Sequence, residues 1–143
     1  MHVAEILSAK GREVATITSE RKLSEAVDEL ARRRIGALVV VEGRGRIVGI
    51  LSERDIVRSI AKRGGDLLGD TVGSIMTREV VTCKEDETIN RVMGRMTRGR
   101  FRHLPVVEDG RLAGIVSIGD VVKARIEEVE HEAEDMRTYI ATA

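Results

Sequence analysis

Gly49-Ile50-Leu51-Ser52-Glu53-Arg54-Asp55 returns 65 residues later as Gly114-Ile115-Val116-Ser117-Ile118-Gly119-Asp120. Working outward, Arg46–Ile60 matches Arg111–Arg125 at the same shift. Upstream, Val14–Gly43 matches Val80–Asp109 at a shift of 66, with a one-residue gap in the intervening turn. Of the 45 aligned pairs 14 are identical, and most others keep their apolar or polar character, so the chain is a tandem duplication. A shorter echo precedes each copy, Val3–Ser8 against Val72–Thr77. Two long repeats are too few for a solenoid. They predict a pseudo-twofold pair, each copy burying its apolar face on the other.

Within the first copy, Val14–Ile17 alternates as a short strand, and Thr18 and Ser19 are candidate helix N-caps. Leu23, Ala26, Val27 and Leu30 step at helical spacing. Ala37–Val41 is a continuous apolar run, read as a buried strand. Glu42-Gly43-Arg44-Gly45 is a turn and Ile47–Leu51 the return strand. Ser52 opens a helix carrying Ile56, Val57 and Ile60. The second copy repeats the order: a strand at Val80–Cys83, a helix with Ile89, Val92, Met93 and Met96, a strand at Leu104–Val107, a turn at Glu108-Asp109-Gly110, and a strand at Leu112–Val116. Each copy is therefore β-α-β-β-α, an α+β fold. The expected divisions are a first repeat with an N-terminal helical segment over 1–63, a Gly- and Asp-rich linker over 64–71, a second repeat over 72–126, and an amphipathic helix over 127–143.

That C-terminal helix has its own pattern. Val122, Ile126, Val129, Ala133, Met136 and Ile140 are spaced 4, 3, 4, 3, 4, as in a coiled coil. Three heptads are marginal alone, so the stripe meets a partner helix or folds back on the domain.

Composition narrows the function classes. The 24 basic and 24 acidic residues balance, which argues against a dedicated nucleic-acid binder. Arg32-Arg33-Arg34 has acidic neighbours and reads as a solvated helix end. Cys83 is the only cysteine, so no intrachain disulfide forms. It has no evident activating partner and reads as a small strand residue. The chain shows no signal segment and no apolar run near 18 residues, so a cytoplasmic protein without membrane attachment is expected. With one Phe, one Tyr and no Trp, any bound base must lie between aliphatic side chains.

The doubled Ser-x-x-Asp allows two readings. As a capping box, the Ser hydroxyl and the Asp carboxylate satisfy orphan N–H groups at the helix start. Glu or Gln is the usual partner there, and Asp in both copies departs from that. As a ligand site, the helix N-terminus suits a phosphate, and a carboxylate beside it can accept hydrogen bonds from two vicinal ribose hydroxyls. Gly49 and Gly114 permit close packing or close approach of a ligand. Gly43-x-Gly45-x-x-x-Gly49 misses the dinucleotide-binding spacing. No nucleophile triad, paired acids with a water site, or metal-ligand spacing stands out.

The order strand, helix, strand, turn, strand, then Gly-h-h-Ser-x-x-Asp-h-h, resembles the CBS (cystathionine β-synthase) domain in tandem, the Bateman module. The resemblance covers residues 3–126, and Ser52–Arg58 and Arg102-His103-Leu104-Pro105-Val106-Val107 are typical of the family. It implies two β-α-β-β-α repeats packed with pseudo-twofold symmetry, with clefts that bind adenine nucleotides (AMP, ADP, ATP), NAD(H) or, less commonly, S-adenosylmethionine. Carried over by position, Asp55 and Asp120 take ribose hydroxyls, with Ser52 and Ser117 beside the ribose or phosphate. Ile17-Thr18 and Cys83-Lys84 edge the adenine pockets. Backbone at Ala37-Leu38-Val39 and at His103-Leu104-Pro105 reads the base. Arg54 reaches a phosphate, across the cleft into the Asp120 site.

The copies differ where charge matters. Ile118-Gly119 stands in place of Glu53-Arg54, and Arg102-His103 in place of Gly36-Ala37. The Asp120 site is therefore expected to favour charged phosphates. The resemblance further implies a homodimer that senses an adenine nucleotide and acts on a separate, unidentified protein, without turnover of its own. The rival readings are an interaction scaffold with vestigial clefts and, from a third class, an enzyme.

Overall fold

The computed structural model describes residues 1–142. It divides into two compact units. The first-repeat unit comprises Glu13–Val81 with Asp109–Ala113, and the second-repeat unit comprises Met1–Arg12, Thr82–Glu108 and the chain from Gly114 onward.

In the first-repeat unit, β1 (Thr16–Ile17) lies parallel to β2 (Ala37–Glu42), which is antiparallel to β3 (Arg46–Ser52). The register pairs Thr16 with Val39, Val39 with Ile50 and Ala37 with Ser52. A bulge at Val40/Val41 leaves Val48 without a cross-strand partner. The helices are α2 (Leu23–Arg33) and α3 (Glu53–Arg63). Leu23, Ala26 and Leu30, spaced to share one face of α2, are buried with Leu38, Val40, Leu51 and Ile56. Both Leu23 and Leu38 are fully buried, and truncating such a side chain costs about 2–5 kcal/mol.

Residues 64–71, expected to be a linker, are folded. Gly65–Gly69 forms a 3-10 turn whose Leu67 enters the same core, and Asp70 O accepts the first N–H of α2, from Leu23, at 2.8 Å. The Gly and Asp content signalled a break in regular structure but not the buried leucine within it. A second 3-10 turn, Val72–Ser74, follows, with Val72 and Met76 in the core.

The second-repeat unit holds α1 (Val3–Lys10), α4 (Ile89–Gly99), β4 (His103–Glu108), the end of β5 (Arg111–Ser117) and α5 (Ile118–Thr142). Strands β4 and β5 form a hairpin. Asp109 and Gly110 both have positive φ, 50° and 73°, as its two-residue turn requires. Buried residues include Val3 and Leu7 of α1, Ile89, Val92 and Met96 of α4, and Val121 and Ala124 of α5. Three features here depart from expectation.

First, α1 does not accompany the repeat it precedes. Val3 N and Ala4 N, orphan donors at its start, are satisfied by Glu87 O and Glu85 O of the second repeat, at 3.0 and 2.9 Å.

Second, the strand expected at Val80–Cys83 reduces to one parallel bridge, Cys83 to Val106. In the first repeat Val39 N donates to Ala15 O at 3.1 Å to extend this ladder. The matching residue in the second repeat is Pro105, which has no N–H to give.

Third, the C-terminal helix does not begin near 127 but runs unbroken from Ile118 to Thr142. Its buried face carries Val121 and Ala124, while Val122, Ile126, Val129, Met136 and Ile140 are exposed. The heptad stripe is thus left uncovered within the unit.

Candidate functional site

Each unit presents one Ser-x-x-Asp at the junction of a strand and a helix. In the first repeat, pairing of Ser52 with Ala37 brings the end of β3 beside the start of β2. The first N–H of α3, from Glu53, donates to Gly36 O at 3.0 Å. Asp55 N donates to Ser52 Oγ at 3.2 Å, and Ser52 N donates to Asp55 Oδ2 at 3.0 Å. The second repeat reproduces each bond. Ile118 N donates to Arg102 O at 2.8 Å, Asp120 N to Ser117 Oγ at 3.1 Å, and Ser117 N to Asp120 Oδ2 at 2.9 Å. The capping box is therefore realised in both copies, with Asp in place of Glu.

The residue that reaches each carboxylate comes from the segment ahead of the other repeat, and here the copies diverge. Thr77 Oγ1 lies 3.3 and 3.4 Å from the two oxygens of Asp55. At Asp120 the visitor is Lys10, whose Nζ is 2.7 Å from Oδ2 and 3.0 Å from Ile115 O. Burial alone would raise the Asp120 carboxyl. The Lys10 ammonium and the Ser117 donors outweigh it and hold the group below its ordinary range. Neither Thr77 nor Lys10 was singled out from sequence. Thr77 ends one of the short echo segments and Lys10 lies two residues beyond the other, which was the available signal.

The glycines of the motif serve the same exchange. A Cβ at Gly114 would stand 2.7 Å from Leu7 Cδ2, and one at Gly49 2.6 Å from Met76 Sδ and 3.0 Å from Thr77 O. Leu7 and Met76 are matching residues of the two echo segments. Glycine is required at both places so that this apolar side chain can approach the strand.

The remaining candidate residues divide by accessibility. Thr18, Arg54, Lys84, Arg102 and Gly119 are exposed, and Ser52, Asp55, His103, Ser117, Ile118 and Asp120 are half-buried. Ile17, Ala37, Leu38, Val39, Cys83, Leu104 and Pro105 are buried. Burial pushes the Cys83 thiol up to about 12, which leaves it protonated and unreactive at neutral pH.

The register brings Ala37 to Ser52 but not Ile17-Thr18. Ile17 pairs with Val40, three positions along β2 from Ala37, or about 10 Å at the rise of a strand. Cys83 pairs with Val106, likewise three positions from His103. In the first repeat the chain entering β1 lies nearer, since Ala15 O accepts from Val39 N. Periodicity locates a strand but does not say which end of it faces a given neighbour.

A cavity of about 160 Å³ is lined by Ile6, Lys10, Asp120, Lys123 and Glu127, among others. It is smaller than the roughly 300–1,000 Å³ of ordinary ligand pockets. In the other unit a cavity of about 440 Å³ lies between α2 and α3, lined by Leu30, Gly36, Glu53 and Ile56, and does not include Asp55. Among the described residues no cluster of His, Cys, Asp and Glu could hold a metal ion, and no helix is long and apolar enough to cross a membrane.

Comparison with known proteins accounts for the doubled geometry. The CBS-domain containing protein ATU1752 from Agrobacterium tumefaciens superposes with a TM-score of 0.85 at 46% identity, over 87% of this chain and 99% of that one. The mitochondrial CBS domain-containing protein CBSX3 of Arabidopsis thaliana is 34% identical over 96% of this chain and 71% of its own. Two further solved structures contain adenosyl ligands. The CBS domain pair of protein MJ0100, with 5'-methylthioadenosine and S-adenosylmethionine, has a TM-score of 0.79 at 30% identity over 90% and 98% of the two chains. PAE2072 from Pyrobaculum aerophilum, complexed with AMP, has a TM-score of 0.74 at 28% identity over 84% and 89%. The CBS domain description matches residues 3–62 and again 72–127, and the protein belongs to the CBS domain family as a tandem pair.

Proposed function

We propose that this CBS pair is a regulatory protein that binds an adenosyl nucleotide and transmits its occupancy to a separate protein. The observation that carries the reading is the carboxylate held at one place in both repeats, Asp55 and Asp120, each fixed by a backbone N–H at the start of a helix. A carboxylate so fixed is ready to accept the two hydroxyls of a ribose. The AMP and S-adenosylmethionine complexes of MJ0100 and PAE2072 support the ligand class. ADP, ATP and NAD(H) share the same adenosyl half.

The two sites differ. Lys10, Lys84 and Arg102 put cations in the unit of Asp120, where Thr18 and Gly36 are the first-repeat equivalents of the last two. The Asp120 site is therefore the one for charged phosphates. Binding works by population shift: a ligand that prefers one conformation raises its share, and the partner reads that conformation. The protein acts without turnover, as a homodimer in the cytoplasm.

Mass spectrometry of small molecules released from the purified protein tests this. With one Tyr and no Trp, a bound nucleotide would also dominate the absorbance near 260 nm. The reading requires an adenosyl compound, or a rise in melting temperature with AMP, ATP, NADH or S-adenosylmethionine. A clean spectrum with no shift for any of the four sinks it.

A second reading, an interaction scaffold, has one observation in its favour. Both Asp side chains already have structural work as helix caps, and Lys10 already neutralises Asp120. In that case the clean spectrum is the expected result.

A further inference from the structure

From Val129 onward every described residue of α5 is exposed. An isolated helix of that length is marginal in water. Along it Val122, Ile126, Val129, Met136 and Ile140 are between 42% and 68% exposed, and Ala133 lies in the same stripe. At about 100° per residue the stripe is centred roughly 120° around the helix from Val121 and Ala124, the face turned to the unit's own core. The unit therefore cannot cover it by closer packing of the same face.

We infer that α5 is a dimerisation helix whose partner is the α5 of a second copy, parallel and in register. The heptad places Ile126, Ala133 and Ile140 at a, and Val122, Val129 and Met136 at d. The flanking positions are then Arg125 and Glu132 at g, and Lys123, Glu130 and Arg137 at e. In a parallel pair each g residue meets the e residue five places on in its partner. Arg125 then faces Glu130 and Glu132 faces Arg137, opposite signs in both cases and twice over by symmetry.

Antiparallel overlap of the same stripe pairs g with g and e with e. Glu132 would then meet Glu132, Glu130 would meet Glu130, and Lys123 would meet Arg137, so every charged pair repels. Apolar spacing alone does not distinguish the two orientations, but the charges do. The inference takes from the proposed function only that the protein is a homodimer, and it supplies the surface and the orientation.

Single-cysteine crosslinking in the full chain tests it, since Cys83 is buried and the wild type serves as the uncrosslinked control. Under mild oxidation Ile140→Cys should convert most of the protein to a disulfide-linked dimer, because a positions face their own equivalents. Mixed Val122→Cys and Ile140→Cys chains should give no heterologous 122–140 product. Glu132→Arg, which sets Arg against Arg137, should weaken dimerisation about tenfold by sedimentation, and Glu132→Arg with Arg137→Glu should restore it. A dimer that crosslinks 122 to 140, or is not rescued by the double reversal, overturns the parallel coil while the homodimer stands. A monomer at tens of micromolar overturns both.

Discussion

Lys10 Nζ lies 2.7 Å from Asp120 Oδ2, so the end of α1 neutralises the carboxylate that opens α5, 110 residues later in the chain. The matching carboxylate, Asp55, meets the hydroxyl of Thr77 instead. The two half-sites therefore differ in the group that meets the carboxylate, an ammonium in one and a hydroxyl in the other. The group that meets each carboxylate comes from outside the Ser-x-x-Asp motif, from the chain ahead of the other repeat.

The Lys10–Asp120 pair gives acid stability a definite sign. The Asp120 carboxyl is held below its ordinary range when folded, so its contribution is present above the unfolded carboxylate pKa and is lost as pH falls through the folded one. Lys10→Met should raise the Asp120 pKa towards the ordinary value. The variant should then start from a lower melting temperature at neutral pH and lose less of it on acidification, giving a flatter profile than wild type through the carboxylate range. Superimposable profiles would show that the ion pair is too solvated to matter.

Asp55→Asn and Asp120→Asn should separate capping from binding. An Asn amide oxygen can accept the same Ser N–H from the third position of the capping box, so both variants should stay folded, with stability changes within about 1 kcal/mol. Calorimetric titration with AMP should show at least a tenfold loss, about 1.4 kcal/mol, at Asp120→Asn. Asp55→Asn should cost less. Equal losses, or tighter binding remaining at the Asp55 site, would remove the predicted inequality.

Gly114→Ala should destabilise by about 1–3 kcal/mol, because its Cβ would overlap Leu7. Leu7 is almost fully buried, and Leu7→Ala alone should cost about 2–5 kcal/mol. The double variant should lose less than the sum, since each change relieves the clash or fills space left by the other. Strict additivity in denaturant titrations would mean that strand and helix move apart.

Leu67→Ala probes the segment that looked like a linker. Leu67 is 2% exposed among the core residues of its unit, so about 2–4 kcal/mol of stability should be lost. A true linker residue would change stability by no more than about 0.5 kcal/mol.

The helices and central strands were legible because their burial follows a local period. Leu23, Ala26 and Leu30 share a face wherever α2 is placed, and Ala37–Val41 reads as buried from its apolar run alone. The family was legible because two loose motifs stood in register. Pro105 shows how one residue escapes a pattern: its apolar character fits the strand, while its missing N–H shortens the ladder.

Lys10, Thr77, Leu7 and Met76 were not legible as site residues. Their roles depend on segments that precede one repeat and fold against the other, and periodicity carries no information about such long-range partners. By itself the sequence determined the duplication, the helices of the repeats and their central strands, since each rests on a pattern of residues close together in the chain. Tertiary structure decided which carboxylate meets a cation, why Gly49 and Gly114 must be glycine, and which face of α5 is left uncovered. Those depend on backbone approach and helix rotation, which arise only when distant segments pack.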